Sequence, residues 1–366
     1  MTRSADKTVL VAGASGFVGT ATIERFAGEG VRAIGLSRRP PARTAPGVTF
    51  LPADLRDPAA CAALAPSLGE VTHLVYAAVN ETPGDLIAAW TDPHHAARNG
   101  AMFDTLLDTL AEAAPALRHV TVIHGTKAYA THRADRHIPV PLRESLPRPD
   151  NDDFYFRQED SLWRMAAERG WGWTVLRAPI ICGGGRGSNL NNLLAIAVFA
   201  SLRRDAGLDL PFPGAWPSLG VTEMVDVELL ARAIAWAGEA EGARNQIFNV
   251  ANGDAFAWAD LWPAIADEMG LPLGAPQAMS VRAYVDGEVA RWGELVRRHG
   301  LTVDERLEFL GESASLLDFA VNNTNRPILT STIKIRQAGF GDCIDTTESI
   351  IGWLRRWRAE RLIPPL

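Results

Sequence analysis

This chain has little lysine, tyrosine or cysteine. Of its 36 basic residues only Lys7, Lys127 and Lys334 are lysines. The three cysteines, Cys61, Cys182 and Cys343, lie far apart. Their number and spacing give neither a zinc motif nor a disulfide framework, and they read as small apolar residues of a reducing compartment. Positive charge is also short. The formal net charge is −7 and the pI about 5.7, with arginine pairs scattered at Arg38-Arg39, Arg203-Arg204, Arg297-Arg298 and Arg355-Arg356. That balance argues against a nucleic-acid partner, which calls for a basic patch. The longest apolar run, Leu193–Leu202, is too short to cross a bilayer, and the opening MTRSADK has no apolar signal core. No internal repeat is visible. These absences predict a soluble, cytoplasmic protein with neither a membrane nor a nucleic-acid partner.

The chain has 366 residues, 47% of them hydrophobic and 22% charged, an ordinary globular composition able to bury a large core. This length suits one large α/β domain with a smaller attached region. The N-terminal pattern is a short apolar strand at 8–12, the turn Gly13-Ala14-Ser15-Gly16-Phe17-Val18-Gly19, and a helix-compatible TATIERFA. Gly13 permits a tight turn, Gly16 lets backbone N–H groups approach a pyrophosphate, and Gly19 allows close helix–strand packing. The helix N-terminus adds partial positive charge. An ordinary strand–helix turn is the alternative.

The second strand, 32–37, ends in Ser37-Arg38-Arg39-Pro40. An acidic residue here would select NAD through the adenosine ribose, whereas arginine suits a 2′-phosphate. Ser37, Arg38 and Arg39 therefore predict NADP(H), with a basic surface turn as the alternative. A third strand at 48–53 leads to Asp54-Leu55, within reach of an adenine edge. A fourth, 73–78, is the continuous apolar run of a covered parallel sheet, and Ala77-Ala78-Val79-Asn80 follow it on the expected nicotinamide side.

Further strands are expected at 119–124 and 173–176, and a long helix from about 93 to 114. His94-His95 in that helix find no third metal ligand and read as helix-surface residues. Residues 134–153 form a proline-rich loop too long for a simple connector, of a kind that covers or shapes a site. The alternation predicts a doubly wound parallel sheet. Residues 1–182, with 221–253 returning to them, are assigned to a Rossmann domain. Residues 183–220 and 254–366, mainly helical and rich in Trp and Leu, are assigned to a smaller substrate region.

The scarce Lys127 and Tyr155 are the catalytic candidates. Short-chain reductases carry Tyr-x-x-x-Lys on one helix, and no tyrosine here has a lysine four residues on: Glu159 stands after Tyr155. A relocated lysine is the alternative, since Lys127 follows the fifth strand, whose end lies beside the helix of Tyr155. Against this stand plainer readings. Lys127 would be an exposed turn residue, Tyr155 an aromatic packing at a helix start, and Glu159-Asp160 acids favoured by the helix dipole.

Several motifs together carry a resemblance: the glycine turn, Gly125-Thr126-Lys127-Ala128-Tyr129, Pro147-Arg148, and Asp153-Phe154-Tyr155-Phe156-Arg157-Gln158-Glu159-Asp160. The chain resembles the progesterone 5β-reductase/iridoid synthase family of extended short-chain dehydrogenases, whose motifs include GTKHY and NFYYxxED. The similarity continues through Asn99-Gly100-Ala101-Met102, Phe212-Pro213-Gly214 and 248–254. It implies an NADPH-dependent ene-reductase that adds hydride to the activated C=C of a small or steroid-like enone, with Tyr155 stabilising the enolate and Lys127 supporting it. By the same resemblance the cofactor contacts are Gly13, Ala14, Ser15, Gly16, Phe17, Val18, Arg38, Arg39, Asp54, Leu55, Ala78, Ile123, Tyr155, Ile181, Ser188 and Leu190.

The chain departs from the pattern at Ala128, at Ala130-Thr131-His132, which leaves an aromatic wall missing, at Phe156 and at Arg177-Ala178-Pro179. A carbonyl reductase on the same scaffold and a non-catalytic NADP-sensing protein are the competing functions. A homodimer is compatible with the resemblance. The Trp-rich C-terminal helices would then form its interface or else cover the substrate pocket.

Overall fold

The computed structural model describes residues 7–40, 46–81, 84, 86–133, 135–185, 190–214, 220–322 and 327–366. They fall into two compact units. One comprises Met1–Pro179, Val227–Ala251 and Thr330–Asp342, the other Ile180–Asp226, Asn252–Leu329 and Cys343–Leu366.

The first unit is built on apolar strands. β1 (Thr8–Ala12) is buried at every residue and leads through Gly13 into helix α1 (Phe17–Gly28). Strands β2 (Arg32–Ser37), β3 (Thr49–Pro52) and β4 (His73–Tyr76) follow, then helix α2 (Pro93–Ala113) and strand β5 (His119–Gly125). Helix α3 (Phe154–Arg169), strand β6 (Gly172–Ala178), helix α4 (Val227–Ala237) and strand β7 (Gln246–Asn249) complete the layer. The seven strands are parallel in the order β7-β6-β5-β4-β1-β2-β3. The order reverses between β1 and β4, and in such sheets ligands bind outside the carboxyl ends of the strands at that reversal.

Two glycines allow the backbone to close up there. Gly13 has φ +87°, and a Cβ on it would come within 2.6 Å of the Ala77 carbonyl oxygen at the end of β4. A Cβ on Gly19 would overlap the Gly13 carbonyl oxygen. On the other side of the sheet's centre, α2 and α3 meet at Gly100, where a Cβ would lie 3.2 Å from Arg157 Cδ. Phe103, Leu106, Leu107 and Leu110 of α2 and Leu162 and Met165 of α3 are buried with Leu10, Leu74 and Val122 of the strands in one apolar core. Burial of this kind contributes about 1.5–3 kcal/mol per large side chain.

The proline-rich loop before α3 is tied to the unit near its middle. The Leu142 carbonyl accepts from Ser331 N (2.7 Å) and Asn249 Nδ2 (3.2 Å), and Glu144 Oε1 accepts from Asn249 N (2.9 Å). Lys334 Nζ donates to the Ile247 carbonyl at 2.9 Å, so residues 330–342 pack with the Rossmann unit although the sequence places them in the C-terminal region.

In the second unit, Ile180–Cys182 pairs in parallel with Met224–Asp226. Helix Asn192–Asp205 is buried from Asn192 to Leu202. The tryptophans considered for a dimer interface are interior: Trp258, Trp262, Trp292 and Trp357 are fully buried side chains. Three of them donate their indole N–H within the unit: Trp262 to the Pro211 carbonyl (3.1 Å), Trp292 to that of Asp304 (3.1 Å) and Trp357 to that of Gly184 (2.6 Å).

Because the neighbour of Gly19 is backbone, Gly19→Ala is expected to destabilise the protein by about 1–3 kcal/mol through enforced backbone shift. Urea unfolding measures this, and an unchanged midpoint would contradict the close approach.

Candidate active site

The site begins at the start of α3. Asp153 caps the helix, its Oδ1 accepting from Tyr155 N at 3.1 Å. Such a cap satisfies an N–H that the helix cannot. Opposite it, β5 ends at Gly125 and enters a tight turn over Thr126–Tyr129, closed by Ala130 in the left-handed region at φ 59°. The register pairs His124 with Arg177 and Gly125 with Ala178, so this turn leaves the carboxyl edge of the sheet beside α3.

Lys127 is thereby brought to Tyr155. Its Nζ lies 5.0 Å from the Tyr155 ring centre, 4.4 Å from that of Phe154 and 6.0 Å from that of Trp90, and 3.4 Å from Asp153 Oδ2. Burial pulls the lysine below its ordinary acidity constant, while the Asp153 and Glu81 carboxylates favour its charged form. For Tyr155 burial is again the largest cause, and here Asp153 and Glu81 act in the same direction, so the phenol is pushed strongly upward. It is held as a protonated hydrogen-bond donor. Its hydroxyl sits beside Gly125, where an added Cβ would lie 3.1 Å away. The ring stacks on His124, with centres 4.1 Å apart and an interplanar angle of 20°.

Glu159, one turn further along α3, ties this arrangement to the sheet. Its carboxylate is enclosed and meets Arg177 at 2.8 Å, Arg148 at 2.9 Å and His124 Nδ1 at 3.5 Å. Burial opposes its charge, yet His124 and Arg177 outweigh that and lower its pKa to about 2. Asp160 points outward and pairs with Arg148 at 2.7 Å. Arg177 also lies over the Tyr129 ring, whose hydroxyl donates to Asn249 Oδ1 at 2.7 Å. Further polar contacts extend inward. His124 Nε2 meets Gln158 Oε1 at 3.1 Å, Gln158 donates to the Asn99 carbonyl, and Asn99 pins the segment after β4 through Asn80 N at 2.7 Å.

His95 departs from expectation. It is buried, with Nε2 3.1 Å from Glu81 Oε2 and its ring against Phe154, because its side of α2 faces the α3 N-terminus rather than solvent. His94 is exposed. Near Ala130-Thr131-His132, Trp90 packs edge-on to His132 at 6.2 Å and flanks Lys127.

The glycine turn fits a dinucleotide. Gly13 to Val18 form the entry to α1, no side chain caps that helix, and its first turn contains no acid. A helix N-terminus of this kind suits an anion. Ala78 and Ile123 follow or close β4 and β5 at the same edge. Arg38 and Arg39 are exposed after β2, with Ser37 Oγ donating to the Arg39 carbonyl at 2.7 Å. Asp54 is occupied by Arg56, whose Nε and Nη2 reach it at 3.0 and 2.5 Å, and its pKa falls to about 2 chiefly for that reason. Leu55 is buried beneath. Of the remaining candidates, Ile181 and Leu190 belong to the second unit, and Ser188 lies outside the described residues.

Sequence reasoning did not single out Asp153, Phe154, Trp90, Glu81, His95 or His124 for roles around Lys127 and Tyr155. Only Asp153 carried a local signal, an acid preceding a helical pattern. The others meet the site through tertiary packing.

Seven parallel strands in this order, with a glycine turn after the first, define a Rossmann dinucleotide-binding fold. The UDP-glucose 4-epimerase of Thermus thermophilus, solved with NAD, superposes with a TM-score of 0.65 at 19% identity over 96% of this chain and 99% of that one. The Bordetella bronchiseptica enzyme WbmH, also solved with NAD+, gives 0.65 at 15% identity over 96% and 99%. The chain belongs to the family described as the PRISE-like Rossmann-fold domain, whose model matches residues 60–364. Among curated relatives, an (S)-8-oxocitronellyl enol synthase of Nepeta cataria is 28% identical over 97% of this chain and 91% of its own. One from Antirrhinum majus is 27% identical over 97% and 92%.

Glu159→Gln would leave buried Arg177 without its carboxylate, at an expected cost of about 3–5 kcal/mol near neutrality. The folded pKa of Glu159 is depressed, so its stabilisation is present above the ordinary 4.5 and lost as pH falls through about 2. The gap in unfolding free energy between wild type and variant should therefore close between those values. A gap constant with pH in denaturant titrations would refute this account.

Proposed function

We propose that this oxidoreductase uses NADPH to reduce the activated C=C of an enone or enal, with Tyr155 and Lys127 as the catalytic residues. The observation that carries the reading is a buried phenol kept protonated beside a lysine, at the sheet edge where the glycine turn opens. The cofactor supplies the hydride when bound. The chain's own task is then electrostatic. As hydride reaches the β-carbon, negative charge develops on the carbonyl oxygen, and the Tyr155 hydroxyl donates a hydrogen bond to it. Lys127, at 5.0 Å from the ring centre, adds positive potential at the same place. The relatives' printed product, an enol, is the protonated form of such an enolate.

NADPH is favoured by the exposed guanidinium groups of Arg38 and Arg39 and by the engagement of Asp54 with Arg56, which leaves the turn after β2 basic. Residues 1–182 with 221–253 would bind this cofactor, and the helical remainder would take the small-molecule substrate.

Tyr155→Phe should lower kcat for an enone such as cyclohexenone or progesterone by about 100-fold or more. Undiminished turnover would refute the assignment. Mass spectrometry of the product separates the two reductase readings: a saturated ketone supports the one proposed, an allylic alcohol a carbonyl reductase. Arg38→Ala combined with Arg39→Ala should raise KM for NADPH by about tenfold or more and leave that for NADH nearly unchanged. A wild-type preference for NADH would overturn the cofactor reading.

A further inference from the structure

We propose that Asp153 is a positioning residue for this reaction, its carboxylate holding Lys127 charged and in place beside Tyr155; the inference rests on the function proposed above. Asp153 has two oxygens with two different surroundings. Oδ1 caps α3 at Tyr155 N, 3.1 Å away. Oδ2 is buried, meets no hydrogen-bond donor within bonding geometry among the described residues, and faces Lys127 Nζ at 3.4 Å. Capping alone needs no charge, since Asn and Ser cap about as well as Asp. A buried carboxylate is costly unless it is paired. With the side chain of Asp153 at 1% exposure and that of Lys127 at 10%, the charge is explained by the lysine rather than by the helix.

The groups facing Lys127 are few. From α3 come Asp153 and the rings of Phe154 and Tyr155, and from the segment before α2 comes Trp90. Glu81, after β4, adds a second negative charge, which it shares with His95 of α2 at 3.1 Å. Among the described residues Asp153 has no ion-pair partner other than Lys127. Burial works against the ammonium and Asp153 works for it, while for the Tyr155 phenol the same carboxylate works against ionisation. Removing the charge at 153 therefore lets both Lys127 and Tyr155 lose their protons at lower pH.

The test measures kcat from pH 6 to 10 with NADPH and an enone for wild type, Asp153→Asn, Asp153→Ser and Tyr155→Phe. The Asn and Ser variants keep a cap and are expected to fold. Near pH 6.5 they should remain within about threefold of wild type. Toward pH 9.5 their loss should grow to about tenfold or more, since an opposite charge at this range shifts a titration by about one unit or more. With three lysines in the chain, a lysine-specific NMR titration follows the Lys127 signal directly, assigned through Lys127→Met. It should titrate at lower pH in Asp153→Asn.

A kcat profile of the Asn variant parallel to wild type, with an unmoved Lys127 titration, overturns the inference and leaves Asp153 a helix cap. Failure of both the Asn and Ser variants to fold also overturns it, by making the carboxylate structural. Full activity in Tyr155→Phe refutes the proposed function instead, and the lysine titration still decides the Asp153–Lys127 pairing.

Discussion

The Glu159 carboxylate is the constraint on which the rest of the site depends. It is enclosed between helix and sheet, and its charge is sustained by Arg177 of β6 and Arg148 of the proline-rich loop. A buried charge of this kind tolerates little displacement, because loss of either partner leaves an unpaired ion in a medium of low polarity. The helix carrying Glu159 therefore has one rotation and one depth against the sheet. Asp153 and Tyr155 stand at the start of the same helix and inherit that placement. His124 meets the carboxylate on one side and stacks on the Tyr155 ring on the other, which links the clamp to the phenol through a single side chain.

Around Lys127 the balance of forces has opposite consequences for the amine and the phenol. Burial disfavours the charged form of each. For the amine the nearby carboxylates oppose burial, and for the phenol they reinforce it. The acids thus favour the proton on both groups. Aromatic faces from Phe154, Tyr155 and Trp90 add a surface that suits an ammonium without a further charge.

Most of the Rossmann unit was legible in the chain. Its strands are short apolar runs separated by helical periodicity, and β2, β5 and β6 fall within a few residues of their expected bounds. The glycine turn was readable because its demand is local: a positive φ at Gly13 and no Cβ at Gly19. The failures share one cause. His95 reads as exposed because it neighbours His94 on a polar stretch, yet the side of the helix it occupies is covered by Phe154 and Glu81. The Trp-rich helices read as an interface or a pocket cover, and four of their tryptophans are fully buried side chains, which composition does not reveal. Thr330–Asp342 carries no signal that Ser331 and Lys334 bond to strand β7 and the loop before α3.

The sequence by itself determined the alternation of strand and helix, the glycine turn after β1, the basic turn at Arg38-Arg39, and the choice of Lys127 and Tyr155 as the residues to watch. All of these depend on neighbours in the chain or on scarcity. The tertiary structure alone decided that Lys127 faces Asp153 rather than solvent, that Glu159 is a clamp and not merely an acid near a helix start, and that Trp90 flanks Lys127. Those contacts join segments that only the strand order brings together, and the energy of a buried ion pair depends on enclosure that no local pattern specifies.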